Sequence, residues 1–179
     1  MNLTDLRSAL GTIDEQLIAA LAARAAHVRN AGLYQPPVPV DSPKMLCANL
    51  THQPDAQAKT RFIRSFYIST VLPLICEEGE DSNPRACLGL DGHCIDMLSK
   101  RLNFSNWIAK MKKKDGTVSE VPSESAVTNA KVEQEVLRRV RECARENGLS
   151  DNVAAKLADF YRSWIIPTSR LLQVDLLKN

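Results

Sequence analysis

The chain has 179 residues, of which 44% are hydrophobic and 25% charged, enough apolar material for one well-cored domain and too much for a disordered chain. A formal net charge of +2 is too small to argue for nucleic acid or a membrane surface, and no run reaches the roughly 18 apolar residues of a membrane span, so any anion binding must be local. Acidic side chains interrupt the apolar part of the N-terminal segment, unlike a signal peptide, and as written the chain is expected to be cytoplasmic.

Leu6, Leu10, Ile13, Leu17 and Leu21 recur at spacings of 4, 3, 4 and 4, which predicts a long amphipathic helix from residue 3 to about 33. Gly32, Pro36, Pro37 and Pro39 stop it, and residues 36–60 read as a polar, proline-bearing connection with one short helix near Met45. A second helix is expected from about Lys59 to Cys76, kinked by Pro73, and residues 79–84 read as an acidic loop. The third helix should span about residues 84–113, ending in the solvated lysines 112–114 and a turn at Asp115 and Gly116. A fourth is expected from about 123 to 147, closed by Gly148, and a last from Ser150 or Asp151 to about 177 with Pro167 inside it. Strand-like alternation is nearly absent, so the predicted class is all-α, a multi-helix bundle forming a single domain over residues 1–179.

Three of these helices carry polar residues where apolar ones belong. Met97, Arg101, Phe104, Ile108 and Lys112 follow spacings of 4, 3, 4 and 4, which puts two cations within roughly 20° of one face among apolar neighbours. Asn129 and Glu133 precede Val136 and Val140 on a second such face, and Ser169 and Gln173 lie between Ile166 and Leu177 on a third. A bundle that points these groups inward builds a polar pocket for a small anion.

Five cysteines (Cys47, Cys76, Cys87, Cys94, Cys143) are odd in number and form no C-x-x-C pair, so neither a complete disulfide framework nor a zinc site is expected. Cys87 and Cys94 read as reduced and packed, and His27, His52 and His93 have no metal or catalytic partners in the sequence. Trp107 and Trp164 read as core or interface anchors. The Asn-x-Ser/Thr matches beginning at Asn2, Asn49 and Asn103 carry meaning only in a secreted chain. Asp14 precedes Arg24 by ten residues as Asp91 precedes Arg101, and Val71-Leu72-Pro73 resembles Ile165-Ile166-Pro167. Descent of two helical units from one and the general likeness of helix-forming sequences are equally good accounts of that echo.

Taken together, these residues resemble the all-helical chorismate mutases, and their eukaryotic (fungal and plant) branch in particular. Asp91-Gly-His-Cys94-Ile-Asp-Met-Leu-Ser-Lys-Arg101 with Lys112 is similar to that branch's third-helix motif, Thr128-Asn129-Ala-Lys-Val132-Glu133 to its Asn-x-x-x-Glu segment, and Ile166-Pro167-Thr168-Ser169 through Gln173 to its C-terminal helix. Leu6-Arg7 with Asp14 and Arg24 resembles the opening helix shared with the bacterial branch.

The resemblance implies that Arg7 and Arg101 grip the two carboxylates of chorismate, for which a planar guanidinium offers paired hydrogen bonds. Lys112 and Gln173 would hydrogen-bond the ether oxygen, Glu133 would accept from the substrate hydroxyl, and Asn129 and Ser169 would complete the carboxylate contacts. Conversion of chorismate to prephenate is a concerted [3,3] rearrangement that needs no nucleophile, metal or cofactor, only a folded substrate and stabilisation of charge on the ether oxygen. A millionfold acceleration requires about 8 kcal/mol, within reach of orientation plus a few charge-assisted hydrogen bonds.

Two departures from the family pattern carry expectations. Fungal members generally have a glutamate where this chain has Gln173; an amide donates at any pH, so activity should persist from about pH 5 to about pH 8. Regulated members bind aromatic amino acids through a long segment after the first helix and a Gly-Ser pair before the third. Here that segment is cut to residues 36–60 and the pair is replaced by Arg85-Ala86, so tyrosine and tryptophan should have little effect. The resemblance also implies a homodimer, with the apolar second helix around Phe62 to Ile75 as a candidate interface. The alternatives are an isochorismate pyruvate lyase-like pericyclic enzyme, and a secreted, effector-like binding protein that keeps the fold.

Overall fold

Side-chain caps set where the helices begin. Asn2 and Asp5 form a reciprocal box at the start of α1 (Leu3–Ala25), each side chain accepting from the other's backbone N–H at 2.9 Å. Ser42 caps α2 (Pro43–His52), whose first residue is a proline that needs no N–H partner, and Asp55 caps α3 (Ala56–Phe66). A π-helical turn, Tyr67–Val71, joins α3 to α4 (Leu72–Ile75). Then come α5 (Pro84–Lys114), α6 (Ala130–Glu146), α7 (Asp151–Phe160), a second π turn (Tyr161–Ile165) and α8 (Ile166–Lys178). The structure is a computed structural model that describes residues 2–27, 40–75, 84–114, 116 and 128–178. Among them there is no strand, and the class is all-α as expected.

Several boundaries differ from the sequence reading. Helix α1 stops at Ala25 rather than near residue 33: the Arg24 guanidinium reaches past the helix end and donates to the His27 carbonyl at 2.7 Å. Gly32 and the three prolines expected to end it lie outside the described residues, as do Cys76 and most of the acidic loop. The connection at 36–60 holds a ten-residue helix and the start of α3, because Ser42 and Asp55 each supply an N-cap. Helix α6 begins at Ala130 rather than 123, with Asn129 accepting from the Val132 N–H at 3.1 Å. Its C-terminus is as read: Gly148 has φ +83, and Leu149 N–H reaches the Ala144 carbonyl at 3.0 Å.

Pro73 and Pro167 lie inside helices without ending them. Each lacks the N–H that the carbonyl four residues back would take, and a widened π turn precedes each one. These turns begin with Tyr67 and Tyr161, both fully buried.

Helix α5 runs through the bundle against α1 and α8, and α6 packs on α7 and α1. Leu17, Leu21, Phe66, Leu72, Leu98, Leu157 and Ile165 are buried in one continuous core. Each such side chain contributes about 1.5–3 kcal/mol by leaving water. Phe66 stacks near Phe160 and Trp164, with centroids 6.1 and 5.2 Å away. Trp164 is thus a core anchor, whereas Trp107 is not a core residue: it is 57% exposed, with the Lys110 ammonium 5.6 Å from its ring. Cys47, Cys87 and Cys94 are buried and Cys143 is partly exposed. Among the described residues no helix is long and apolar enough to cross a membrane.

The sequence echo is one structural device used twice. Arg24 Nε donates to Asp91 Oδ1 at 2.7 Å, and the Tyr67 hydroxyl donates to the same oxygen at 2.6 Å. Reciprocally, Arg101 Nε donates to Asp14 Oδ1 at 2.6 Å, joined by the Tyr161 hydroxyl at 2.9 Å. Residue numbers rise along α1 as they fall along α5, so the two helices are antiparallel and each arginine is held by the aspartate of the other unit.

Candidate active site

Arg101, Ile108 and Lys112 share a face of α5, as their helical spacing requires, and that face lines a cavity of about 90 Å³. Arg101 is 3% exposed, a burial that an isolated guanidinium would not tolerate. Asp14 supplies the compensating charge. Burial pushes the Asp14 carboxyl up from its ordinary range, and the bonds from Arg101 and Tyr161 oppose that push. With Nε committed to Asp14, the far edge of the guanidinium remains for the cavity, where Nη1 donates to Ser169 Oγ at 3.3 Å.

Lys112 Nζ donates to Gln173 Oε1 at 3.1 Å, bridging α5 and α8. An ammonium can only donate, so it must take the amide oxygen, which leaves the Gln173 NH₂ as a donor to a ligand. Burial lowers the Lys112 pKa, the nearby Arg7 charge lowers it further, and Glu133 opposes both. Arg7 rises from the first turns of α1 at the exposed mouth of the cavity.

Glu133, on the first turn of α6, is gripped by Arg170 of α8 through two hydrogen bonds, one of them from Nε at 2.8 Å. Asn129 also lines the cavity, but it is exposed and its Oδ1 serves as the cap of α6. All seven residues singled out from the sequence, Arg7, Arg101, Lys112, Asn129, Glu133, Ser169 and Gln173, therefore line one cavity. Through Arg7, Leu10, Val132 and Val136 it adjoins a groove of about 440 Å³ between α1 and α6. Among the described residues no three His, Cys, Asp or Glu side chains gather as a metal site would require.

Sequence reasoning gave no site role to Asp14, Tyr161 or Arg170. Asp14 was open to discovery by the logic that singled out Arg101, since it interrupts the apolar stripe between Leu10 and Leu17. Arg170 carries no such signal: its partner lies 37 residues away on α6 and is met only across the cavity that both side chains line.

The chorismate mutase type II family model matches residues 88–174, the stretch from α5 to α8 that supplies six of the seven cavity residues. The chain is 26% identical to cytosolic chorismate mutase 2 of Zea mays over 99% of its length and 95% of that protein's. It is 27% identical to the chorismate mutase of Emericella nidulans, covering 78% of this chain and 60% of that one. Its fold is similar to the crystal structure of AtCM1 with phenylalanine bound in its allosteric site, at a TM-score of 0.71 and 20% identity over 99% of this chain and 95% of that one. The family match from α5 to α8, the relatives and the all-helical architecture agree: the chain is similar to the type II chorismate mutases.

Proposed function

We propose that the cavity binds chorismate and catalyses its rearrangement to prephenate. The observation that carries this reading is the charge of the lining: Arg7, Arg101, Lys112 and Arg170 face it against one carboxylate, Glu133. A dicarboxylate is the small molecule such a lining favours.

Arg7 and Arg101 take the two carboxylates, with Ser169 and the Asn129 amide beside them. Lys112 and the Gln173 NH₂ donate to the ether oxygen as its bond to the ring carbon breaks and the new carbon–carbon bond forms; no proton is transferred. Glu133, oriented by Arg170, accepts from the ring hydroxyl. Because the cavity opens onto the larger groove, a substrate bigger than the cavity itself is accommodated. The smaller cavity, rather than the groove, carries the reading because the groove's charged side chains balance, Arg7, Lys131 and Arg139 against Asp14, Glu15 and Glu135.

The homodimer, the insensitivity to tyrosine and tryptophan and the cytosolic setting are parts of the same proposal. The last is supported by the maize relative, which is named as cytosolic. Incubation with chorismate followed by product separation tests the reaction. Prephenate is expected, at a rate unchanged by added tyrosine or tryptophan; salicylate with pyruvate from isochorismate would instead identify a lyase, and no turnover of either a binding protein.

A further inference from the structure

Ser105 lies in the middle of α5, 1% exposed, and its hydroxyl has no hydrogen-bond partner among the described residues. A helical serine ordinarily satisfies its hydroxyl on the carbonyl one turn back, and this one does not. A buried polar group left in that state is costly, and it persists where something outside the chain completes it. Ser105 also lines the polar cavity.

Its position on the helix says what that partner is. Ser105 is one turn beyond Arg101, about 6 Å along the axis and rotated about 40°, and it precedes Ile108 and Lys112 on the same face. Ser105 therefore follows Arg101 by one turn and precedes Lys112 by two, so its hydroxyl stands on the cavity wall between the two cations. A carboxylate gripped by Arg101 is an anionic acceptor for it there.

We infer that Ser105 is a substrate-binding residue, donating its hydroxyl proton to the carboxylate of chorismate that Arg101 holds. The inference rests on the proposed function. It assigns to α5 a third polar contact, between the carboxylate grip and the ether-oxygen donor, that the family motif does not include. A carboxylate keeps its charge through the rearrangement, so the contact strengthens ground state and transition state alike and acts on KM.

Ser105→Ala tests it with chorismate as the probe. KM should rise about tenfold, the range of one hydrogen bond to a charged acceptor, with kcat within about twofold of wild type. The thermal midpoint should hold or rise, because alanine removes a buried hydroxyl that the folded chain does not satisfy. Ser105→Cys, similar in shape but a weak donor, should fall between the two. An unchanged KM, or a loss that appears in kcat alone or together with a lowered thermal midpoint, overturns the assignment. A wild-type protein that leaves chorismate untouched defeats the reading of the whole site, whereas an active wild type indistinguishable from Ser105→Ala defeats this inference alone.

Discussion

The Arg101–Asp14–Tyr161 and Arg24–Asp91–Tyr67 clusters are built from the same three side chains, and they end in different surroundings. Around Arg101 the second residue after the helix-embedded proline is Ser169, which turns a hydroxyl toward the guanidinium. Around Arg24 the corresponding residue after Pro73 is Ile75, buried in the core. Arg24 and Asp91 are both fully buried, whereas the Arg101 edge faces a cavity shared with Lys112 and Gln173. An arginine held by aspartate and tyrosine is thus a way of pinning two antiparallel helices together. It becomes a binding group only where a neighbouring helix leaves polar space beside it.

Two substitutions should separate these roles. Lys112→Ala removes the cation proposed to donate to the ether oxygen and should lower kcat by about a thousandfold while leaving the thermal midpoint near wild type. Arg24→Ala leaves Asp91 buried without its cation and should cost about 3–5 kcal/mol of stability, measured by denaturant titration, with little change in kcat for the fraction that remains folded. Equal damage to rate and stability by both would erase the distinction between the clusters.

The helices and the polar faces were legible in the sequence because their physics is local. Spacing of 4, 3 and 4 residues fixes which side chains share a face, and it alone puts Arg101 and Lys112 together. The ends of α1 and α6 differ from the sequence expectation for an equally local reason. Alanine-rich and polar segments extend a helical pattern past its true stop, while the decisive contacts, Arg24 on the His27 carbonyl and the Asn129 cap, depend on side-chain rotamers. The partners Asp14 with Arg101 and Glu133 with Arg170 are 87 and 37 residues apart, and no periodicity reports such pairings.

Smaller effects sharpen the picture of the active end. Arg170→Ala should release Glu133 and reduce kcat/KM about tenfold, the weight of a charge-assisted pair that orients a contact without touching the reacting atoms. A similar loss from Arg162→Ala, which disrupts an exposed pair with Asp159 away from the cavity, would argue against that role.

The pH dependence follows from Lys112 and Gln173. Because burial lowers the Lys112 pKa, its cation, and with it the rate, is lost as pH rises through a value below that of free lysine. The alkaline limb of kcat/KM should therefore fall early, move upward in Lys112→Arg, and be preceded by a plateau from about pH 5 to about pH 8. Gln173→Glu should tilt that plateau, since a glutamate donates to the ether oxygen only while protonated. A rate that falls across the plateau in the wild-type protein would count against the amide as donor.

On the proposed function, the buried Arg101 edge holds the reacting dianion. That role is tested most directly by measuring prephenate formation from chorismate with wild-type protein and Arg101→Ala side by side, at matched helical content by circular dichroism. Catalysis by the wild type and a rate near the uncatalysed background for the variant are expected. Background rates from both, or a variant that retains most of the wild-type rate while folded, would contradict it.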